Sequence, residues 1–383
     1  MTAVVTLPGG ERYPLRGGGG FGVPARPFRS RVAYAAAHVV ADPAGENVPG
    51  APAVLDWDAT LAFRRHLWRH GFGVAEAMDT AQRGMGLDYG ATRELIRRTA
   101  AEARSAGGAV VAGVGTDHLP AGPATLAEVR DAYLRQLDDV GEAGARPVLM
   151  CSRHLVAAAT CAEDYLTVYS ELLDRAPGPV ILHWLGPMFD PALAGYWGAA
   201  DLTVAADTVL RLIKDHSSTV DGIKVSLLDQ EFEVALRRRL PGGVRLYTGD
   251  DFNYPELIRG DARGYSDALL GIFAAIAPAA AAALAALDEG DHAGYERLLA
   301  PTVPLSRHIF GIPTFYYKTG IVFLAWLAGH QDHFTMVGGL HAGRSPVHLA
   351  TLLRLADAAG LLPDADLAAA RARAYFTVAG VPQ

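Results

Sequence analysis

From Arg31 to Pro278 the chain alternates short apolar runs with helix-period segments, a pattern that demands a parallel sheet crossed by helices. The runs are Val32 to Val39, Gly73 to Met78, Ala109 to Val114, Arg146 to Cys151, Pro179 to His183, Gly222 to Val225, Val244 to Thr248 and Ala268 to Ile272. They are apolar without interruption, as strands buried on both faces must be. Between them fall Leu61 to His70, Tyr89 to Ser105, Leu126 to Val140, Cys161 to Arg175 and Leu202 to His216, all with helical spacing. Eight such units predict an α/β fold, a (β/α)8 TIM barrel with a C-terminal helical extension. An open doubly wound sheet is the alternative, but no Gly-rich dinucleotide turn follows the first strand.

The length of 383 residues suits one barrel of about 250 residues with additions. We place a Gly- and Pro-rich arm or short hairpin at 1–30, the barrel at 31–280 and a helical region at 281–383. The Ala-rich stretch from Ala274 to Leu287 reads as a packed helix with Pro278 in its first turn. A hydrophobic share of 50% with 20% charged residues belongs to a folded globular chain. With a net charge of −7 and no basic stretch, a nucleic-acid partner is not expected. Nor is a membrane span, because no apolar run reaches about 20 residues. Two cysteines, Cys151 and Cys161, are too few for a disulfide framework, so a cytoplasmic location is expected.

In a barrel of this kind the chemistry sits where the strands end. The residues closing the runs are His38, Asp79 and Thr80, Asp117 and His118, Ser152 to His154, His183 and Trp184, Lys224 and Ser226, and Asp250 and Asp251. Lys224 is the sharpest of them. Only three of the 34 basic residues are lysines, and Asp221-Gly-Ile-Lys-Val-Ser226 puts this one inside a β-type run. Facing inward, it would be desolvated and left as a neutral amine able to attack a carbonyl. The other reading is an ion pair with Asp250 or Asp251. Lys214 lies on an amphipathic helix and reads as a solvated surface residue, and Lys318 reads as structural. The histidines offer a second chemistry, since His118, His154 and His183 with Asp79 or Asp117 would suit a metal-dependent barrel.

Four segments in order resemble the dihydrodipicolinate synthase/N-acetylneuraminate lyase superfamily of class I aldolases. Gly222-Ile-Lys-Val-Ser226 is similar to its Schiff-base strand and Tyr247-Thr-Gly-Asp-Asp251 to the loop after its seventh strand. Asp267-Ala-Leu-Leu-Gly271 and Val111-Ala-Gly-Val-Gly115 are similar to its eighth and third strands. The match spans Ala33 to Leu362, and within the superfamily the chain looks like a divergent branch of DUF993 type.

This resemblance implies a Schiff base on Lys224, no metal or organic cofactor, and a homo-dimer or tetramer. Where the family carries a proton-relaying tyrosine, this chain has His183, which can also serve as acid or base. The family's carboxylate-holding turn corresponds to Asp79-Thr-Ala-Gln-Arg83, in which only Thr80 survives. The expected function is therefore a lyase, an aldolase or dehydratase, acting on a keto acid, keto-sugar or sugar acid. Lys224 and His183 are the expected catalytic groups, with Asp79, Thr80, Arg83, His154, Asp250 and Asp251 around the small carbonyl substrate. The alternatives are a metal-dependent hydrolase or isomerase built on the rim His and Asp residues, and a non-catalytic sugar-binding barrel.

Overall fold

The computed structural model describes residues 3–383. Eight parallel strands close into a barrel: β3 (Ala33–Ala36), β4 (Gly73–Glu76), β5 (Val110–Val114), β6 (Arg146–Leu149), β7 (Val180–Leu185), β8 (Val220–Ser226), β9 (Arg245–Thr248) and β10 (Asp267–Leu270). They pair in sequence order, and β10 closes onto β3. An α-helix follows each strand, from Trp57–Arg69 after β3 to Ile272–Asp288 after β10. Two helices that the sequence reading passed over, Gln230–Arg237 and Tyr254–Arg259, complete the ring.

Helix starts follow local chemistry. Asp56, Asp88, Asp201 and Asp229 each cap a helix by accepting a backbone N–H, and Thr125 with Glu128 forms a reciprocal capping box. The first strand is shorter than its apolar run because the chain leaves the barrel after Ala36 and Val40 N–H turns to Thr60 Oγ1. The Ala-rich helix begins two residues early, at Ile272. It kinks at Ile276, so Pro278 falls in the first turn of the segment beyond the kink.

Side chains divide between two cores. Tyr34, Ala36, Val111, Val148, Ile181, Tyr247 and Leu269 fill the barrel interior, while residues such as Ile223 and Val225 face the helices. The N-terminal segment forms a hairpin of β1 (Val4–Thr6) and β2 (Arg12–Pro14). It docks on the C-terminal helices, where Tyr13 Oη donates to Asp357 Oδ2 at 2.8 Å and Arg373 Nη1 donates to the Val4 carbonyl at 2.8 Å. Gly18 crosses Gly360 so closely that a Cβ would lie 2.3 Å from the Gly360 carbonyl, so only glycine fits. Among the described residues no helix is long and apolar enough to cross a membrane.

Candidate active site

Alternation along β8 sends Ile223 and Val225 outward and Lys224 and Ser226 inward, at the end of the barrel where the strands finish. Lys224 is paired in register with His183 on β7 and with Tyr247 on β9. Room for it comes from small neighbours. A Cβ on Gly249 would stand 2.1 Å from Ser226 Oγ and 2.7 Å from Lys224 Cε, and Ala36 and Gly271 line the same space. The result is a small inner pocket around Lys224, bounded also by Asp79, Thr80, His183, Asp251 and Tyr317.

Burial dominates the electrostatics of this pocket. It lowers the Lys224 pKa below the ordinary 10.5, against the opposing pull of Asp251 and Asp79. It raises the Asp251 pKa, while the Ile272 N–H donated to Oδ1 at 2.8 Å and the charge of Lys224 act the other way. His183 is held well below the usual histidine range, by burial first and Lys224 second. Its Nε2 is 3.3 Å from Ser226 Oγ, and its buried Nδ1 has no hydrogen-bond partner. A neutral imidazole in that position can accept a proton.

The expected substrate residues separate into three groups. Asp79, Thr80 and Asp251 meet at the inner pocket with Lys224 and His183. His154 belongs to a larger outer cleft of about 850 Å³, where its ring contacts Thr116 Oγ1 and the Pro120 carbonyl, each at 3.1 Å. Arg83 and Asp250 are bonded into the surrounding framework. Arg83 lines the cleft, but its guanidinium is fully engaged: Asp117 takes Nε and Nη2, the Gly113 and Ala77 carbonyls take Nη1, and Gln136 Oε1 also accepts from Nη2. Asp250 is turned into its own loop, where its carboxylate accepts from Phe252 N–H, Asn253 N–H and Asn253 Nδ2 at 2.8 to 2.9 Å. The N–H groups of Arg83 are all taken, and the Asp250 carboxylate is held chiefly by its own loop.

Inner pocket and outer cleft adjoin, sharing Asp79, Leu185 and Phe189 as lining residues. Two residues absent from the expected site reach it from the C-terminal region. Tyr317 Oη and Thr80 Oγ1 share a hydrogen bond of 2.8 Å. Lys318, whose side chain is wholly buried, donates to Asp79 Oδ2 at 2.9 Å and to the Phe315 carbonyl at 3.0 Å. Both lie in Phe315-Tyr-Tyr-Lys-Thr319, where the unusual retention of a lysine was the only available signal. The histidines do not converge as the metal alternative requires. His118 stacks on Tyr89 and meets Gln136, His154 stands in the cleft, and His183 lies inside the barrel. Among the described residues no three His, Cys, Asp or Glu side chains are grouped to hold an ion.

A closed parallel barrel followed by a helical C-terminal region is a fold this chain shares with solved dihydrodipicolinate synthases. The structure of that enzyme from Aquifex aeolicus superposes with a TM-score of 0.65 at 14% identity, covering 87% of this chain and 99% of its own. The synthase of Bacteroides thetaiotaomicron gives 0.65 at 15%, covering 86% and 99%. The 4-hydroxy-tetrahydrodipicolinate synthase of Methylacidiphilum fumariolicum gives 0.64 at 17%, covering 86% and 96%. At these identities the likeness establishes the fold. In sequence, residues 9–381 match the family model described as a protein of unknown function, DUF993, and the chain belongs to that family. No curated protein matches it.

Proposed function

We propose that this protein is a class I lyase, an aldolase or dehydratase, that binds a small carbonyl compound as an imine on Lys224. The observation that carries this reading is a desolvated lysine inside the barrel mouth, facing a polar pocket that opens into a substrate-sized cleft. The amine nitrogen adds to the carbonyl carbon and loses a proton, and the carbonyl oxygen, twice protonated, leaves as water. Asp251 lies beside the cationic imine that results. That imine draws electrons from the adjacent carbon, so a C–C or C–O bond can break and His183 can take up the proton released.

Tyr317 is the proposed proton donor to the departing oxygen. Burial, reinforced by Asp79, raises its pKa well above 10.0, so the phenol stays protonated, and Thr80 orients it. Tyr317→Phe should lower turnover by about 10²- to 10⁴-fold, the usual worth of a positioned acid. Substrate affinity should change little. A loss confined to KM would assign Tyr317 to binding instead.

Borohydride reduction in the presence of candidate carbonyl compounds, followed by peptide mapping, tests the proposal. A stable adduct on Lys224 is expected, and absence of any adduct on that peptide across the panel would refute imine chemistry. The pH dependence follows from the depressed pKa. The attacking form is the neutral amine, so adduct formation should rise with pH and level off well below 10.5. A profile still climbing at pH 10 would mean an ordinary, solvated lysine.

A further inference from the structure

The reacting end of the substrate can be specified further, on the reading that Lys224 forms an imine. A carboxylate attached to the carbonyl carbon, as in a 2-oxo acid, is held most strongly by a cation free to pair with it within the inner pocket. The cations nearby are all committed. Lys318 is buried against Asp79 Oδ2 and the Phe315 carbonyl. Arg83 has every N–H engaged, and Asp117 neutralises it through two of its bonds. Arg153 lines only the outer cleft, paired with Asp190 at 2.5 Å. Lys224 is itself consumed by the reaction, and His183 is buried and uncharged.

What the inner pocket does present is the carboxyl group of Asp251, that of Asp79 already paired with Lys318, and the hydroxyls of Thr80, Ser226 and Tyr317. Carboxylates repel a substrate carboxylate and accept hydrogen bonds from a substrate hydroxyl. Asp79, Leu185 and Phe189 line both this pocket and the outer cleft, so the rest of a substrate held at Lys224 extends past Phe189 into the cleft.

We infer that the substrate is a neutral hydroxy-aldehyde or hydroxy-ketone whose carbonyl bears hydrogen or a hydroxymethyl group, and not a 2-oxo acid. The remainder of the molecule lies along the outer cleft.

Hydroxyacetone and pyruvate are a matched pair for the test, differing in a hydroxymethyl group against a carboxylate. The wild-type protein is incubated with each and with borohydride, labelling of Lys224 is read by peptide mass, and each value is divided by the labelling of a free lysine peptide. The expected result is hydroxyacetone labelling at least about tenfold above pyruvate, with Asp251→Asn narrowing the gap by removing one repelling charge. Pyruvate labelling Lys224 as well as hydroxyacetone, or better, overturns the inference and leaves the imine intact. No label on Lys224 from either compound, with the free peptide labelled, overturns the imine reading and this inference together.

Discussion

Lys224→Met should remain folded, form no borohydride-stable adduct with any carbonyl compound, and turn over at or below about a thousandth of the wild-type rate. Methionine matches the lysine stem in length and flexibility and adds no polar group to desolvate. The pocket that received the amine therefore receives the thioether without repacking. Asp251 keeps its hydrogen bond from Ile272 N–H and can take a proton where the ammonium charge has gone. The two readouts separate function from folding. A melting temperature close to wild type with complete loss of adduct places the chemistry on Lys224, whereas retained turnover in a protein that no longer forms the adduct would place it elsewhere on the rim.

The largest stability effect should come from Arg64→Met. Arg64 and Glu76 form a side-on ion pair with both side chains wholly shielded from solvent, at 2.9 Å from Nε to Oε2 and 2.8 Å from Nη2 to Oε1. The guanidinium also holds the carbonyls of His38 and Thr60, and Glu76 accepts from Thr99 Oγ1 and Ala77 N–H. Removing the arginine strands a carboxylate in the wall between β4 and its helices. Loss of one partner of such a pair costs about 3–5 kcal/mol, readable as a shift in the urea midpoint at constant slope. Arg64→Met with Glu76→Met should recover most of that loss, because two apolar groups leave no charge behind. A single variant within about 1 kcal/mol of wild type would mean that water reaches Glu76.

These two residues mark what could and could not be read in advance. Strand order and the inward lysine were legible because β-periodicity is local: an uninterrupted apolar run is a barrel strand, and a lysine within it has few places to go. For Arg83 and Asp250 the spacing of charged residues at strand ends tells which groups are near the mouth, and says nothing of where their bonds are already spent. The five hydrogen bonds that Arg83 donates go to Ala77 in its own unit and to Gly113, Asp117 and Gln136 of the next β/α unit, a tertiary fact with no sequence period. Tyr317 was passed over, and Lys318 was read as structural without its partner, for the same reason. Their partners Thr80 and Asp79 stand more than two hundred positions earlier, joined to them only when the C-terminal region folds over the barrel.

That arrangement orders events during synthesis. The wall of the barrel is complete once β10 ends at Leu270, but the mouth is finished by Tyr317 and Lys318, which leave the ribosome later. Until then the amine of Lys224 faces an uncovered rim and Asp79 has no counter-ion. The hairpin at the start of the chain waits longer still, for Asp357 and Arg373. A nascent barrel of this protein therefore has its wall and Lys224 in place before Tyr317 and Lys318 arrive to complete the mouth.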